Sequence, residues 1–225
     1  MKFYSESDKG PRKSNQDYLA VKELSSSSIL ACICDGVGGN NGGEVASKMA
    51  TESFMANYTQ GKSLIEAIQI AHAEVLEKAA SDPALRGMAT TLTALLVEKE
   101  MLYGVHAGDT RAYLQRGSGL KQLSIDHTEV AKLLQEGELT KEQAVNYPRK
   151  NVIYSALGIN KELYVDEFNF PVEAGDRIML MSDGVYGIAS KTVFRDYALQ
   201  YPDAELLGSK LIQFVSEHFP KDNYS

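Results

Sequence analysis

The order of strand-like and helix-like segments is the feature that most limits how this 225-residue chain can fold. Runs rich in β-branched and aromatic residues predict strands, and apolar residues at helical spacing predict helices. Along the chain the order is strands, two helices, strands, a polar helical insertion, strands, and two more helices. Strands grouped apart from helix pairs favour a layered α+β fold over alternating βαβ units.

The same patterns predict the element boundaries. The predicted strands are 17–24, 29–34, 90–98, 101–108, 110–116, 164–172 and 176–183. The predicted helices are 43–58, 62–80, 191–200 and 203–219. The three runs between 90 and 116 are short and closely spaced, which predicts one antiparallel meander. Residues 127–145 are polar and helix-like, and 151–158 return to strand or turn.

Composition excludes several classes of partner. A net charge of −7 argues against nucleic acid or an anionic membrane. No apolar stretch approaches the ~18 residues of a membrane span, and residues 1–10 lack the apolar segment of a signal peptide. We therefore expect a cytoplasmic protein. The two cysteines, Cys32 and Cys34, share one face of a strand and are expected to be buried free thiols. A Cys-x-Cys metal clip is the alternative.

Two apolar runs end in the same three residues, Asp-Gly-Val. They are ACICDGVGG at 31–39 and RIMLMSDGVYG at 177–187. Asp-Gly is a common turn dipeptide, so two hairpin turns are the simplest explanation. The alternative is that two strands deliver carboxylates, from Asp35 and Asp183, to one metal site.

Three further acids stand at similar places, Asp17, Asp109 and Asp222. Each acid alone is typical of a turn or a helix cap. Together the five indicate a carboxylate-rich site, whose oxygen ligands suit Mg²⁺ or Mn²⁺. The glycine-rich stretch DGVGGNNGGE lacks the Lys-Ser/Thr of a phosphate loop and the acids of a calcium loop. Arg12 is a candidate phosphate ligand because guanidinium binds phosphate bidentately, although a solvated surface arginine is the alternative.

With these residues in view, the chain resembles the metal-dependent Ser/Thr protein phosphatases of the PPM family, type 2C, in their compact bacterial form. The resemblance covers nearly the whole chain and keeps the order of the family's motifs. The matching segments are DKGPRKSNQD, CDGVGGNNGGEVAS, GMATTLTALLV, YGVHAGDTRAYL, LSIDHTEV, VIYSALG, IMLMSDGVYG and DNYS.

The resemblance implies a fold and a set of site residues. The fold would be a four-layer α-β-β-α sandwich, two antiparallel sheets flanked by helix pairs, in one domain over 1–225 with a flap at roughly 128–150. Asp35 would bridge two Mn²⁺ or Mg²⁺ ions and act in catalysis together with Arg12, which would orient the phosphate. The remaining metal ligands would be Asp183 and Asp222 at the first ion, the Gly36 carbonyl and Asp17, through water, at the second, and Asp109 with Asp183 at a third.

The implied reaction is hydrolysis of phosphoserine and phosphothreonine in proteins by a metal-activated water, without a phosphoenzyme. The substrates would be products of a Ser/Thr kinase, and the enzyme would be a monomer. Gln16 replaces the commoner Glu of the family. Val37 stands where some members carry a histidine proposed as general acid, which leaves a metal-bound water or His127 as candidates. We also expect Asp222 to be poorly anchored, because termini fray.

Two other functions stay open at this point. Gln16 and Val37 are compatible with a non-catalytic pseudophosphatase that binds phosphoproteins. Hydrolysis of a small phosphorylated metabolite is the other alternative, which the shallow, exposed site typical of the family disfavours.

Overall fold

Two antiparallel β-sheets pack face to face in the computed structural model, which describes residues 1–37, 42–159 and 161–225. The first sheet has the strand order β1-β2-β4-β5-β8, with β3 also paired to β2, and the second has the order β7-β6-β9. The strands of the first sheet are β1 Asp17–Ser25, β2 Ser28–Val37, β3 Ala89–Thr90, β4 Leu92–Glu98, β5 Met101–Ala107 and β8 Asp166–Pro171. Those of the second are β6 Arg111–Arg116, β7 Gly119–Gln122 and β9 Arg177–Met181.

Helix pairs cover the outer faces of both sheets. The four long helices are α1 Gly43–Thr59, α2 Leu64–Ser81, α6 Lys191–Gln200 and α7 Ala204–Glu217. The short ones are α3 Glu129–Gln135, α4 Lys141–Val145 and α5 Asp183–Tyr186, with a 3₁₀ turn at Pro83–Leu85. None of the described helices is both long enough and apolar enough to cross a membrane.

Three clusters of buried side chains separate the four layers, and β4 shows how the sequence produces them. Because side chains alternate along a strand, Ala94 and Leu96 face the α1–α2 layer, whereas Leu95 and Val97 face the second sheet. A third cluster lies between the second sheet and α5–α7 and is centred on Phe194. The predicted α-β-β-α sandwich is therefore confirmed.

The predicted single meander over 90–116 is wrong in its last strand. β4 and β5 pair with each other, but β6 pairs with β7 and β9 in the other sheet. The chain changes sheets at Gly108, whose φ of +117° is a conformation that glycine adopts without strain. A Cβ at this position would also lie 2.5 Å from Thr91 side-chain atoms. The sheet change therefore depends on a backbone conformation that strand propensity does not report.

The chain segment inserted between β7 and β8 contains α3 and α4. An isolated β-bridge between Thr128 and Ile153 joins the two ends of the insertion. Within it, Glu129 forms an ion pair with Arg149 at 2.7 Å and accepts a hydrogen bond from the Tyr147 hydroxyl. Residues 151–158 form turns and isolated bridges rather than a strand. The helix-like pattern of 127–145 is confirmed as two short helices.

Both cysteines lie in the core beneath α1. Cys32 is 1% exposed and Cys34 is fully buried, and both are free thiols. Burial raises the pKa of Cys32 to about 12, which disfavours the thiolate that a metal clip needs. The expectation of buried free thiols is confirmed.

The segment 222–225 is held by the body of the protein, and the expectation that Asp222 is poorly anchored is wrong. Tyr224 pairs with Asp8 through two backbone hydrogen bonds of 2.9 and 3.0 Å. The side-chain amide of Asn223 donates to the carbonyls of Lys9 and Ser14 at 2.7 and 2.9 Å. Because Asn223 is only 4% exposed, these bonds replace water and fix the segment against the N-terminal residues.

Gly184 provides a test of this anchoring. A Cβ at Gly184 would stand 1.9 Å from the backbone oxygen of Asn223, so Gly184→Ala must push the terminal segment away. We expect a loss of about 1–3 kcal/mol in the free energy of unfolding, measured by urea denaturation. Gly119→Ala is the control, because its Cβ would meet only an ordinary contact at 3.4 Å. Equal stability of the two variants would contradict the described packing.

Candidate active site

The five acids reach one end of the sandwich from different elements. Asp17 opens β1 and is the cross-strand partner of Asp35 in β2. Asp183 begins α5, with one residue between it and the end of β9, Asp109 follows β5, and Asp222 belongs to the anchored segment 222–225. Neither Asp-Gly pair is a hairpin turn: the pair at 35–36 continues β2, and the pair at 183–184 starts a helix.

Asp35 is fixed through its backbone by two threonines. Its N–H donates to the Thr91 hydroxyl at 2.9 Å, and its carbonyl accepts from the Thr91 N–H at 2.8 Å and the Thr90 hydroxyl at 2.9 Å. Both threonines are fully buried. The backbone of Asp35 is therefore satisfied within the sheet, and its carboxylate is left to interact with the other acids.

The charges of all the other acids in the group act on Asp35. Burial raises the pKa of Asp35 well above its ordinary value, and all four other acids, beginning with Asp17, raise it further. Burial and the charge of Asp222 likewise raise the pKa of Asp183, although Arg12 and Arg111 oppose this shift. Like charges in a poorly solvated place each disfavour the ionised form of the others.

Asp17 and Asp109 show the same effect. Burial raises the pKa of Asp17 to about 6, even though its Oδ2 accepts hydrogen bonds from the hydroxyls of Ser182 at 2.6 Å and Ser225 at 2.7 Å. Burial, with the charge of Asp183, raises the pKa of Asp109 to about 7. These carboxyls thus keep protons that exposed aspartates lose near pH 4.

Arg12 lies at the edge of this acidic group. Its Nη2 donates to Asp222 Oδ2 at 2.6 Å and its Nε to the carbonyl of Lys221 at 3.1 Å. The side chain is still about half exposed, at 54%. The structure therefore brings Arg12 to the predicted site rather than leaving it an unengaged surface arginine.

Gly36 is placed by close backbone packing. Its N–H donates to the carbonyl of Gln16 at 3.0 Å, and a Cβ on Gly36 would lie 2.5 Å from the carbonyl oxygen of Gly43, at the start of α1. The Gln16 side chain lies 2.7 Å from the Cβ position of Gly43. Glycine is therefore required where β2 meets the helix.

The carboxylate oxygens of the acids are suitable ligands for a divalent cation, but the side chains are not gathered around one point. Within the parts of the chain that are described, no three His, Cys, Asp or Glu side chains are grouped closely enough to hold an ion. Asp17 is turned to two serine hydroxyls, and Asp222 to Arg12. A positive charge among these carboxylates would nevertheless lower the pKa of each, and hard oxygen donors are what Mg²⁺ and Mn²⁺ prefer.

Several supporting residues were missed by the sequence patterns. They are Thr90, Thr91, Ser182, Asn223 and Ser225, all of which hold an acid or the segment that carries one. Most of their bonds join residues more than 40 positions apart in the chain. The one available signal was that each lies within one of the segments quoted for the family resemblance.

Comparison with known proteins gives one consistent result. The family model described as "Protein phosphatase 2C" matches residues 10–216. The serine/threonine phosphatase stp of Listeria welshimeri is 34% identical over 195 residues, which cover 82% of this chain and 77% of that protein.

Solved structures of the same kind match the fold. The serine/threonine phosphatase Stp1 from Staphylococcus aureus superposes with a TM-score of 0.89 at 25% identity, covering 100% of this chain and 94% of that one. The catalytic domain of the phosphatase PstP, solved with two manganese ions, has a TM-score of 0.82 at 30% identity, covering 97% and 93%.

The raised pKa of Asp109 predicts how stability depends on pH in EDTA. The folded protein binds this proton more tightly than the unfolded chain, so the contribution of Asp109 to the free energy of unfolding falls as pH rises from about 4 to 7. Asp109→Asn has no such proton. We expect the variant to become more stable than the wild type across this range, by on the order of 1 kcal/mol or more.

Urea denaturation at several pH values measures this difference. Asp203→Asn is a control of opposite sign, because backbone N–H groups of α7 lower the pKa of Asp203. That variant should lose stability relative to the wild type as pH rises. A pH-independent difference for Asp109→Asn would contradict the electrostatic description of the site.

Proposed function

The chain belongs to the protein phosphatase 2C family, and we propose that it removes phosphate from phosphoserine and phosphothreonine in proteins, using two or three Mn²⁺ or Mg²⁺ ions. The observation that carries this proposal is that the fold brings the acids to one end of the sandwich, where Asp17 and Asp35 are cross-strand partners and Asp183 begins α5. Residues 1–225 would act as a single phosphatase domain, with the insertion near 128–150 as its flap.

The acids are proposed to share the ions as follows. Asp35 would be the ligand shared by two ions, because the charges of all four other acids act on it. Asp183 and Asp222 complete the first site, since the charge of Asp222 is the largest electrostatic influence on Asp183. The Gly36 carbonyl and Asp17 serve the second site, and Asp109 with Asp183 a weaker third.

Arg12 is proposed to orient the phosphate of the substrate. Its guanidinium is half exposed and already pairs with an oxygen anion, the carboxylate of Asp222. Phosphate offers the same geometry of two acceptor oxygens to the guanidinium fork. If the substrate phosphate replaced the Asp222 carboxylate as the partner of Arg12, the phosphoryl group would lie beside the five acids.

The proposed reaction is direct attack of water on phosphorus, without a phosphoenzyme. When bound at such a site, divalent cations lower the pKa of water and offset charge on the phosphoryl oxygens. Neither cysteine can serve as the nucleophile, because Cys32 and Cys34 are buried beneath α1. His127 is a poor general acid, since its ring nitrogens are engaged by the Gly108 N–H and by Asp166. A water molecule is left as the proposed proton donor.

The cellular setting is also proposed. The enzyme would act as a monomer in the cytoplasm on the products of a Ser/Thr kinase. Gln16 and Val37 are the residues that suggest the pseudophosphatase alternative. Every acid of the proposed metal site is nevertheless present at one end of the sandwich. The serine/threonine phosphatase stp is also 34% identical to this chain over 195 residues. The catalytic function is therefore favoured.

The direct test is release of inorganic phosphate from a phosphothreonine peptide. We expect repeated turnover with Mn²⁺, loss of turnover in excess EDTA, and recovery when Mn²⁺ is restored. Free phosphothreonine, tested in parallel, should be a much poorer substrate. Binding of the peptide without turnover would instead support the pseudophosphatase, and faster hydrolysis of the free amino acid would support the metabolite alternative.

Two arginine variants serve as matched controls in this assay. Arg12→Ala should raise KM for the peptide. Arg116→Ala removes a similarly exposed arginine, paired with Glu173 and Asp176 at the opposite end of β6, and should leave KM unchanged. Equal effects of the two would refute the role of Arg12.

A further inference from the structure

The loop that carries Asp109 is held at three consecutive peptide groups. The imidazole Nδ1 of His127 accepts a hydrogen bond from the Gly108 N–H at 3.3 Å. The backbone N–H of His127 donates to the Gly108 carbonyl at 2.7 Å. The hydroxyl of Tyr186 donates to the Asp109 carbonyl at 3.0 Å and lies 3.5 Å from its Oδ2. The peptide groups 107–108, 108–109 and 109–110 are thus each bonded.

These restraints matter because the loop has no other regular structure. Gly108 has a φ of +117°, and Asp109 lies between β5 and β6, where the chain changes sheets. The direction of a side chain follows from the peptide planes on either side of its Cα. Fixing these planes therefore fixes the direction of the Asp109 Cα–Cβ bond and limits the positions that its carboxylate can reach.

The two residues that provide the bonds are themselves held. The Tyr186 ring lies beneath the guanidinium of Arg111, at 3.7 Å from ring centroid to Cζ, and Arg111 is paired bidentately with Asp126 at 2.6–3.1 Å. The imidazole of His127 is fully buried, and its Nε2 lies 3.1 Å from Asp166 Oδ2. With Nε2–H donating to Asp166, Nδ1 is the acceptor that Gly108 requires.

We propose that Tyr186 and His127 are positioning residues for Asp109, which hold its loop so that the carboxylate faces the acidic site. The proposal rests on the proposed function, in which Asp109 is a metal ligand. In this role neither residue needs to contact the substrate. Their effect reaches the reaction through the affinity of the Asp109-dependent ion alone.

Tyr186→Phe is the sharpest variant, because it removes one hydroxyl and keeps the ring beneath Arg111. The matched control is Tyr113→Phe. The Tyr113 hydroxyl accepts a hydrogen bond from Arg111 at 3.4 Å and makes no hydrogen bond to Asp109. The experiment titrates each variant with Mn²⁺ alone and follows free Mn²⁺ by electron paramagnetic resonance. Tyr186→Phe should weaken the weakest Mn²⁺ site about threefold to tenfold, the size of one neutral hydrogen bond. Tyr113→Phe should leave it unchanged.

A double-mutant cycle separates positioning from general loosening. In an Asp109→Asn background, Tyr186→Phe should have no further effect on Mn²⁺ binding, because the ligand it positions is gone. Saturating Mn²⁺ should rescue the turnover of Tyr186→Phe, with KM for the phosphopeptide unchanged, but not that of Asp109→Asn. Additive effects in the cycle would overturn the proposal.

His127→Phe gives an independent second variant. Its control is His72→Phe, since His72 also accepts, at 3.2 Å, from the N–H of a glycine with positive φ, Gly158. Only the change at His127 should weaken the Asp109-dependent Mn²⁺ site. If Asp109→Asn binds Mn²⁺ as the wild type does, its assignment as a ligand fails together with this proposal. If Asp109→Asn weakens binding and Tyr186→Phe does not, the positioning role alone is overturned.

Discussion

The burial of mutually repelling carboxylates at one end of the β-sandwich is the constraint on which the rest of the structure depends. Asp17, Asp35, Asp109 and Asp183 all have raised pKa values, and in each case burial is the leading cause. Acids in this arrangement cost folding free energy when they ionise. A fold that keeps them together must obtain its stability elsewhere, which here means the three apolar layers between sheets and helices.

The scaffold holds three of the acids through the backbone of the segments that carry them. The two buried threonines bond the backbone of Asp35, Tyr186 and His127 restrain the loop of Asp109, and Asn223 anchors the segment of Asp222. Their carboxylates are left to share whatever cation enters. Arg12 is the exception, because its ion pair with Asp222 places a movable positive charge at the edge of the group.

Local patterns predicted most of the fold and every candidate acid. The hairpin of β1 and β2, the four long helices and the pairing of β4 with β5 follow from alternation and helical spacing, which are properties of short segments. The transfer of β6 to the second sheet could not be predicted, because it depends on the φ of Gly108 and on packing against β9. Hydrogen bonds such as that from Ser225 to Asp17 link residues 208 positions apart, which no local pattern reports.

The most direct measurement is the melting temperature of Asp35→Asn in EDTA and in Mn²⁺. Loss of the central charge should relieve repulsion, so the variant should melt higher than the wild type in EDTA, yet lose the stabilisation that Mn²⁺ binding gives the wild type. Asp176→Asn, which removes a carboxylate paired with Arg116, should instead melt lower and keep the Mn²⁺ response. An Asp35→Asn variant that melts lower in EDTA and is still stabilised by Mn²⁺ would contradict the central place of Asp35.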